Sequence, residues 1–586
     1  MTARPRMEIL SNQSSLAASP DLDTPADAAA SILSHLERDK AAIASTLLDH
    51  ALARWPDNNR LLLTKGDVLA RTSGRNAAAA HYADLIATSR TLPWPCGRLL
   101  SMLESGPLDL DVTLKSAVAC AGAAIEPKLK QALLHELVTK CDPAERLGLL
   151  EKIVPVCGLF RFELRLAVTY AERGSPDAAL KVLEAAAADG RSTSQAVLLR
   201  AELLALCGRL DECIETLERH RAESPDYAEA YRRLIMYYQR SGAFESATNV
   251  LEDAIQRWPV DWMLLFRLNR LPIVRDRLNR IFAQVRAAAH PVAEKDGRVR
   301  YQFALACLDA GEVEEGLHLL EQPFDEPVAS MVRPVITALC SRPARRWVTD
   351  SRLRDDRTAE VQVTRARMTA RASVVVTAGP LFGNLPIAFL DALLATHDVN
   401  VVYLRDFQKR AFLRGVGTLG TDEAQTMSAL RRLLAELGAP RTFVMGSSSG
   451  GFSALRYGAL LGANDAISFA GPTLIASYFG STAVSVWNPS YLVHMLLQNE
   501  KDLPLDLVPV LRQADRTRSH QFYGADNPSD VSQAQRLQGL PKVLLRPVPA
   551  VADHLVVDHM IGNGSFDALI EELADAPGTT AQRRLS

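Results

Sequence analysis

Three glycines recur at a fixed interval in the first half of the chain, and this interval limits the possible folds more than any other sequence feature. Gly174, Gly208 and Gly242 are each separated from the next by 34 residues. Large apolar or aromatic residues recur four positions before these glycines, small residues five positions after and leucines nine positions after: Tyr170, Leu204 and Tyr238; Ala179, Cys213 and Ala247; Leu183, Leu217 and Leu251. Such a period is typical of stacked helical hairpins, each of which buries its apolar face against its neighbours.

The residue types at these positions indicate how one hairpin is built. Glycine ends the first helix because it adopts the left-handed backbone of a C-cap, and the small residue lets the second helix pack closely. Pro225 and Pro259, each seventeen residues after one of the glycines, would start the next unit. This arrangement resembles the tetratricopeptide repeat, and the resemblance implies an α-solenoid of helical hairpins.

Related positions occur earlier and later in the chain, at Gly66, Gly74, Ala78 and Tyr82 and at Gly311, Gly316 and Leu320. Their spacing predicts degenerate hairpins over residues 92–160 and 262–300, and about eight hairpins in all over residues 25–340. Such a solenoid presents a concave groove, in which we expect a protein or peptide partner. The alternative is that the helices only support or dimerise the second half of the chain.

The overall charge and apolar pattern exclude some classes of partner. A formal net charge of −2 gives no field that would attract nucleic acid or an anionic membrane surface. No apolar run reaches the about 20 residues of a membrane-spanning helix, and the first residues lack the apolar core of a signal peptide. We therefore expect a cytoplasmic protein that neither binds nucleic acid nor spans a membrane.

The cysteines favour neither a disulfide framework nor a metal site. All eight precede residue 341 and none forms a Cys-x-x-Cys pair: 96, 120, 141, 157, 207, 213, 307 and 340. Several occupy small-residue positions of helical patterns, so we expect buried, reduced thiols.

Strand-like and helix-like patterns alternate after residue 360. Apolar runs typical of buried strands occur at 373–377, 400–404, 442–445, 466–470, 520–523 and 542–546, with helical patterns at 386–396 and 421–437. Residues 361–367 alternate as an edge strand would. This order predicts an α/β domain with a mostly parallel sheet over residues 361–576. A charged linker is expected at 341–360, and disordered ends are expected at 1–24 and 577–586.

A serine flanked by glycines follows the apolar run that ends at Met445. Residues 446–450 read Gly-Ser-Ser-Ser-Gly, and a helical pattern starts within a few residues, which predicts a strand, a tight turn and a helix. The flanking positions must lack a Cβ if strand and helix are to approach around a strained central serine. The motif resembles the nucleophile elbow of the α/β-hydrolase family, which implies that fold and a nucleophilic role for Ser448.

The same resemblance implies a general base. Family members carry the serine, the acid and the histidine in that order along the chain, with the histidine after the final strand. His554 has that position, and His559 is the alternative. His520 lies inside a predicted strand, where we expect packing or solvent exposure rather than catalysis.

Two aspartates are candidates for the acid that orients the base. Asp526 and Asp530 both follow the strand-like run that ends near Tyr523. Asp526 is nearer the usual family position, whereas Asp530 is the better N-cap for a helix over residues 531–537. The fragment Gly-x-x-Asn-x-x-Asp before a helix resembles family members and slightly favours Asp530, so both candidates stay open.

Stabilisation of a negatively charged intermediate requires backbone N–H donors. The resemblance implies the N–H of Ser449, which follows the proposed nucleophile, and a second donor from the loop over residues 378–383. Gly379 and Gly383 would let that loop turn inward, and Phe382 is the residue we expect to donate, with Gly383 beside it.

A glycine-rich run at residues 415–420 satisfies the pattern Gly-x-Gly-x-x-Gly of dinucleotide-binding loops. It begins about ten residues after its strand, and Asp422 and Glu423 place carboxylates where a pyrophosphate would bind. We therefore expect a loop beside the active site, with no cofactor and no metal.

The runs 403–406, 412–420 and 446–451 together resemble a bacterial branch of α/β-hydrolase-like proteins associated with surface polysaccharides and glycoproteins. This branch includes the acetyltransferase-like component of the accessory Sec export system. The resemblance covers roughly the last 210 residues and implies an acyl ester on a glycan or glycoprotein as the substrate. Residues 472–516, with Trp487, Tyr491 and His494, are a candidate lid.

Two functions follow from these patterns. The first is a serine esterase or acyltransferase, in which Ser448, His554 and an aspartate act on an acyl ester while the repeats bind a protein partner. The alternative is a repeat scaffold whose hydrolase-like domain is inactive and serves the assembly of surface polysaccharide or glycoprotein. The sequence does not separate an esterase from a transferase.

Overall fold

The computed structural model describes residues 23–88, 93–293, 295–341, 346–353, 356–475 and 503–575. The chain forms two compact units, residues 1–196 and residues 197–586. The predicted disordered ends, apart from residues 23 and 24, lie outside the described residues, and so do Trp487, Tyr491 and His494 of the predicted lid.

The first unit consists of α-helices joined by short loops. Consecutive helices pack against each other, as α1 does on α2, α3 on α4 and α9 on α10. The helices are α1 (Pro25–Glu37), α2 (Ala41–Arg54), α3 (Asn59–Thr72), α4 (Arg75–Thr88), α5 (Pro93–Glu104), α6 (Leu110–Gly122), α7 (Pro127–Lys140), α8 (Arg146–Cys157), α9 (Phe160–Glu172) and α10 (Pro176–Ala188).

Small residues allow the helices of the first unit to approach each other. Gly66 of α3 faces the ring of Tyr82 on α4, and a Cβ at this glycine would lie 2.3 Å from the ring atoms. Ala78 and Ala79 are fully buried in the same helix pair. Close packing of this kind is what the small-residue positions of the repeat predict.

The second unit continues the helical pattern. Its helices, the first of which starts at the boundary between the units, are α11 (Ser194–Leu206), α12 (Leu210–Glu223), α13 (Ala228–Ser241), α14 (Phe244–Arg257), α15 (Trp262–Leu268), α16 (Arg275–Ala293), α17 (Gly297–Ala310), α18 (Val313–Glu321), α19 (Val328–Cys340) and α20 (Arg346–Asp350). Helix α20 lies within the predicted linker.

The repeated positions have the predicted local structure. Gly208 and Gly242 follow α11 and α13 with φ of 76° and 85°, the left-handed region in which glycine ends a helix. Cys213 and Ala247 are fully buried. Residues 262–300 differ from a regular hairpin, because they form the short α15 and the 19-residue α16. All eight cysteines are free thiols; six are buried, Cys207 is half-buried and Cys340 is exposed.

A seven-stranded sheet follows the helices, in the order β1-β5-β2-β6-β7-β8-β9. The strands are β1 (Val361–Thr364), β2 (Ala372–Ala378), β5 (Val399–Arg405), β6 (Thr442–Ser447), β7 (Asp465–Phe469), β8 (Arg518–Gly524) and β9 (Val543–Val548), and a separate hairpin contains β3 (Leu381–Phe382) and β4 (Leu385–Pro386). All pairs in the larger sheet are parallel except β1 with β5. The mostly parallel sheet and the edge strand at 361 are as predicted.

Helices cover this sheet: α21 (Ile387–Ala395), α22 (Glu423–Leu437), α23 (Ser449–Leu461), α24 (Val508–Gln513), α25 (Pro528–Gln535), α26 (Val556–Gly562) and α27 (Ser565–Asp575). Strands β2 and β5 are buried at every position, which parallel strands covered on both faces require. Because β2 and β5 to β9 run the same way, their ends define a carboxyl edge and an amino edge of the sheet. Clefts at the carboxyl edge are the usual binding sites of such sheets.

Repeat helices and sheet pack together within the second unit. Helix α19 packs on α26, and a Cβ at Gly562 would lie 2.9 Å from the methyl group of Thr337. Gln239 of α13 donates a hydrogen bond to the Phe407 carbonyl at 2.9 Å. The predicted domain boundary near residue 340 therefore lies inside a compact unit. None of the helices in the described part of the chain is long and apolar enough to cross a membrane.

Candidate active site

Ser448 lies at the tip of the turn between β6 and α23, at the carboxyl edge. Its φ of 54° and ψ of −124° place a non-glycine residue in a sparsely populated region of backbone space. The Ser448 N–H donates to the Phe469 carbonyl at 2.9 Å, which ties the turn to the neighbouring β7. The backbone strain at the serine that the motif predicts is present.

The two glycines of the motif are required by close backbone contacts. A Cβ at Gly446 would lie 2.1 Å from the Gly450 carbonyl oxygen, and one at Gly450 would lie 2.3 Å from the Thr377 carbonyl oxygen. The hydroxyl of Thr377, at the end of β2, donates to the Gly450 carbonyl at 2.7 Å. Strand and helix therefore meet at a distance that only glycine permits.

His554 joins the serine to an acid. Its Nε2 lies 3.0 Å from the Ser448 hydroxyl oxygen, and its Nδ1 lies 2.9 Å from Oδ1 of Asp530. Asp530 is fully buried, whereas the imidazole side chain is 31% exposed. The three side chains come from turns that follow β6, β8 and β9. Because these strands are parallel, residues far apart in the sequence meet at one edge.

The helix after β8 starts earlier than the sequence suggested, and Asp530 does not cap it. Asn527 is the N-cap of α25, and its side chain accepts hydrogen bonds from the N–H groups of Ser529 and Asp530. The expected N-cap role of Asp530 is therefore wrong. Since Asn527 satisfies the first N–H groups, the Asp530 carboxylate can face His554 from the first turn.

Asp526 lies away from this arrangement. Its side chain is exposed, and its backbone N–H donates to the Val551 carbonyl at 3.1 Å. Of the two aspartates left open by the sequence, the structure brings only Asp530 to the imidazole.

The other two histidines have different partners. His559 Nε2 lies 3.0 Å from Oδ2 of Asp553 rather than near the serine. Burial tends to raise the pKa of Asp553, but the hydrogen bonds from His559 and from the Leu555 N–H, with the nearby histidine charges, together outweigh burial and lower the pKa below its usual value. His520 is buried in β8, with Nε2 3.0 Å from Oδ1 of Asp465 at the amino edge.

The expected oxyanion donors occupy two elements near the carboxyl edge. Ser449 is the first residue of α23, where the backbone N–H groups have no partner within the helix. Phe382 pairs with Leu385 in the hairpin that follows β2, and its buried ring packs on Phe469 at 6.2 Å. Gly383 forms the turn of that hairpin with φ of 61°. Their role as donors stays a prediction.

Asp558 supports this hairpin, and the sequence analysis did not single it out. Its Oδ1 accepts a hydrogen bond from the N–H of Asn384 at 3.4 Å, and a Cβ at Gly383 would lie 2.7 Å from its Oδ2. Complete burial raises the pKa of this carboxyl group to about 7. Its signal in the sequence was a lone carboxylate between apolar pairs, Val556 and Val557 before it and Met560 and Ile561 after it.

The glycine-rich run at residues 415–420 forms a loop before α22. A Cβ at Gly415 would lie 2.5 Å from the Asp422 carbonyl oxygen. The Asp422 side chain caps α22 by accepting from the N–H of Gln425. A carboxylate thus occupies the helix terminus at which a dinucleotide phosphate would bind. Among the residues that the structure describes, no group of three or more His, Cys, Asp or Glu side chains is placed to hold a metal ion.

Family models identify part of the helical region. Residues 30–91 and residues 170–235 each match a model described as tetratricopeptide repeat. This half of the chain contains tetratricopeptide repeats. No curated protein is significantly similar to the chain in sequence.

The solved structures that are locally similar to this chain include an esterase and a tetratricopeptide repeat protein. An esterase B from Lactobacillus rhamnosis, inhibited by a tributyrin phosphonate, is 14% identical with a TM-score of 0.27 over 43% of this chain and 97% of its own. A tetratricopeptide repeat protein from Parabacteroides merdae is 13% identical with a TM-score of 0.17 over 53% and 96%. The Naa15/Naa10 complex with HypK is 11% identical with a TM-score of 0.28 over 75% and 60%. These TM-scores support no conclusion about activity.

Proposed function

We propose that the second unit is a serine esterase or acyltransferase that forms an acyl intermediate on Ser448. The observation that carries this proposal is the pair of hydrogen bonds made by His554, at 3.0 Å to the Ser448 hydroxyl and at 2.9 Å to Asp530. A hydroxyl becomes a nucleophile only when a base removes its proton, and a base is most effective when a third group fixes its orientation.

The proton positions follow from the two distances. Since an ionised carboxylate only accepts hydrogen bonds, the Nδ1 of His554 carries a proton toward Asp530 and the Nε2 accepts from the serine hydroxyl. As the serine oxygen bonds to the ester carbonyl carbon, the hydroxyl proton moves to Nε2. The same proton then goes to the alcohol oxygen as the ester C–O bond breaks, which leaves an acyl group on Ser448.

The second half-reaction decides between the two activities. Water, activated by His554, would release a free acid and complete an esterase cycle. A sugar hydroxyl in the same place would accept the acyl group and complete a transfer. The resemblance of residues 403–406 and 412–420 to proteins of surface polysaccharide and glycoprotein systems supports an acyl ester of a glycan or glycoprotein as substrate.

The negatively charged intermediate would form near the start of α23. The backbone N–H of Ser449 is one proposed donor, and Phe382 or Gly383 in the hairpin after β2 supplies the other. Asp558 acts on this hairpin through Asn384, so we assign it a positioning role rather than a catalytic one. The repeats would bind a protein partner and bring it to the enzyme.

A fluorophosphonate probe tests the proposal directly, because such probes phosphonylate activated serines. We expect labelling of the full chain, its loss in Ser448→Ala and in His554→Ala, and its retention in Ser447→Ala. Ser447 is the matched control, since it precedes the nucleophile and the substitution removes the same hydroxyl. Labelling that persists in Ser448→Ala would overturn the assignment.

A second candidate function rests on the repeats themselves. Tetratricopeptide repeats are protein-interaction modules, and two segments of the chain match them. If the probe labels no serine, the chain is a scaffold whose sheet region binds without catalysis. In that case partner binding should be unchanged by Ser448→Ala and lost on deletion of residues 25–196.

A further inference from the structure

Three basic side chains surround one aromatic ring near the carboxyl edge. The guanidinium carbons of Arg267 and Arg270 lie 5.8 and 3.7 Å from the centre of the Phe266 ring, and the Lys409 ammonium lies 5.6 Å from it. Arg267 is 7% exposed, and the other two cations are half-buried. Phe266 and Arg267 belong to α15, whereas Lys409 belongs to the loop after β5. We call these three cations the basic cluster.

The basic cluster lacks acidic partners. Among the described residues, no carboxylate lies within ion-pair distance of Arg267, Arg270 or Lys409. The nearest acids have other roles. Glu229 pairs with Arg232 and Arg233, and Asp406 accepts hydrogen bonds from backbone N–H groups of its own loop.

Burial lowers the pKa of all three cations, because no acidic side chain in the part of the chain that the structure describes pairs with them. Burial and the neighbouring guanidinium groups lower the pKa of Lys409 well below its usual value. Burial lowers the pKa of Arg267 and that of Arg270 to about 10 each, with further repulsion of Arg267 by Arg233 and of Arg270 by Arg267. Isolated charges away from water are costly, so a cluster of this kind requires a compensating anion or a functional reason.

The loop that carries Lys409 is held in a strained conformation. Lys409, Ala411 and Phe412 all have positive φ, between 50° and 55°. Their carbonyl oxygens accept hydrogen bonds from three different helical side chains: Arg240 at 3.0 Å, Ser453 at 2.9 Å and Tyr457 at 2.8 Å. Strained backbone that is held by such contacts occurs mainly at functional sites, where a side chain must keep a fixed orientation.

The cluster lies beside the candidate active site. Lys409 comes four residues after β5 ends, and β5 is two strands from β6, which carries Ser448, so the strand ends are roughly 10 Å apart. The Asp406 N–H donates to the Ala378 carbonyl at the end of β2. Ser453, which holds Ala411, lies on α23, the helix that begins directly after Ser448.

A buried hydroxyl lies within the electrostatic influence of both the basic cluster and Asp558. Tyr301 of α17 is 2% exposed, and within the described part of the chain its hydroxyl has no hydrogen-bond partner. Burial and the charge of Asp558, which supports the hairpin, raise the pKa of this hydroxyl, whereas the charge of Arg270 lowers it. An unsatisfied buried donor beside unpaired cations is what an anion-binding site provides.

We propose that Arg267, Arg270 and Lys409 bind a doubly charged oxyanion of the substrate, such as a phosphate monoester, while its acyl ester reaches Ser448. This inference rests on the proposed function. Guanidinium groups match the geometry of phosphate oxygens, and two guanidinium charges beside an ammonium group that a bound anion would stabilise favour a dianion over a single carboxylate. The substrate class is therefore an acyl ester of a phosphorylated molecule. The end of α15 and the loop after β5 would bind the phosphate together.

Binding is measured first, with no need for turnover. Inorganic phosphate is titrated calorimetrically into the full chain carrying Ser448→Ala, with acetate as the monoanion. We expect phosphate to bind and acetate to bind weakly. Arg270→Gln or Lys409→Met should each weaken phosphate binding about 10- to 100-fold, the loss of a charge-assisted hydrogen bond. Arg298→Gln is the matched control, because this exposed arginine of α17 lies over the ring of Trp262 in α15, at 5.6 Å, and is not part of the basic cluster.

Thermal unfolding separates this role from a structural one. Since the cations repel each other, Arg267→Met should raise the Tm of the phosphate-free protein by about 2–4 °C while it weakens phosphate binding. Phosphate should raise the Tm of the wild type and not that of the variant. If Arg267 and Arg270 serve only packing, both the Tm and the folded fraction fall and phosphate affinity does not change, which overturns the proposal.

Kinetics distinguish failure of the anion site from failure of the proposed function. With an acetylated sugar phosphate and the same acetylated sugar lacking phosphate, Arg270→Gln should raise KM about 10-fold for the first only. If the probe labels Ser448 but phosphate does not bind, the anion site is wrong and the serine enzyme stands. If phosphate binds but nothing labels Ser448, the anion site stands and the enzyme does not.

Discussion

Buried charges are paired at the amino edge of the seven-stranded sheet, whereas the described residues leave the basic cluster at the carboxyl edge without an acidic partner. At the amino edge, Asp465 is fully buried and bonded to Arg441 at 2.9 Å, Arg518 at 2.8 Å and His520 at 3.0 Å. At the carboxyl edge, Ser448 has strained backbone and the basic cluster has no acidic partner among the described residues. Paired charges there would add rigidity, whereas unpaired charges and strain leave groups available to a substrate. We therefore expect the amino edge to contribute stability and the carboxyl edge to carry the proposed chemistry.

The largest expected effect is on activity at the carboxyl edge. Ser448→Ala or His554→Ala should lower kcat/KM for an acyl ester by on the order of 10⁴- to 10⁶-fold, because the groups act as one unit. Asp530→Asn should lower it by about 10⁴-fold through the wrong imidazole tautomer. Ester hydrolysis measures the loss, and circular dichroism should show unchanged folding. The control is Asp526→Asn, and equal losses in both aspartate variants would contradict the assignment of the acid.

The next effect is on stability at the amino edge. Asp465→Asn leaves the buried Arg441 without its counter-charge, so the free energy of unfolding should fall by about 3–5 kcal/mol. Urea denaturation measures this change. In the fraction that remains folded, labelling of Ser448 by the probe should be unaffected. A variant that keeps its stability but loses labelling would reverse the assignment of the two edges.

A third effect concerns pH and the hairpin at the carboxyl edge. Burial raises the pKa of Asp558 to about 7, so the folded state holds this proton more tightly than the unfolded chain. Stability is then lost as the pH rises from about 4 toward 7, by roughly 4 kcal/mol in all. Asp558→Asn should abolish this part of the fall and stabilise the protein at pH 8. Parallel stability curves for wild type and variant between pH 4 and 8 would contradict the burial argument.

The smallest effect is a pH dependence of the same sign at the amino edge, in a higher pH range. Burial opposes the charge of His397, but the hydrogen bonds to Asp567 at 2.9 Å and Glu571 at 2.5 Å, with the charges of these two carboxylates, together outweigh burial and raise its pKa. Its contribution is complete below the unfolded pKa of about 6.5 and is lost as the pH rises through the folded pKa. His397→Gln should cost about 2 kcal/mol at pH 6 and less at pH 9. Urea midpoints at the two pH values measure the difference.

Much of the sheet region could be predicted because its signals are local. Each apolar run became a strand within a few residues of its predicted position, since strands buried on both faces need continuous apolar residues. Ser448 was chosen from the spacing of its flanking glycines, and His554 from the order of residues along the chain that the family resemblance implies. The 34-residue interval was sufficient to predict the helical repeats, because each unit carries its own glycine and small residue.

The remaining features depend on contacts between distant segments. The choice between Asp526 and Asp530 required knowing that Asn527 caps the helix, which moves its start by a few residues. Arg267 and Lys409 are separated by more than a hundred residues, so no pattern along the chain indicates that both lie beside the Phe266 ring. The boundary between compact units was also hidden, because the repeat continues unbroken across residue 196.

The packing of α19 on α26 has a consequence for how this protein can be divided or inherited. A gene fusion that carried residues 361–576 alone to a new scaffold would expose the apolar side of α26 and leave the 406–413 loop without Gln239 and Arg240. The transferable segment must therefore begin near residue 197. Any exchange of the repeat helices that follow residue 196 must also rebuild their contacts with α26 and with the 406–413 loop.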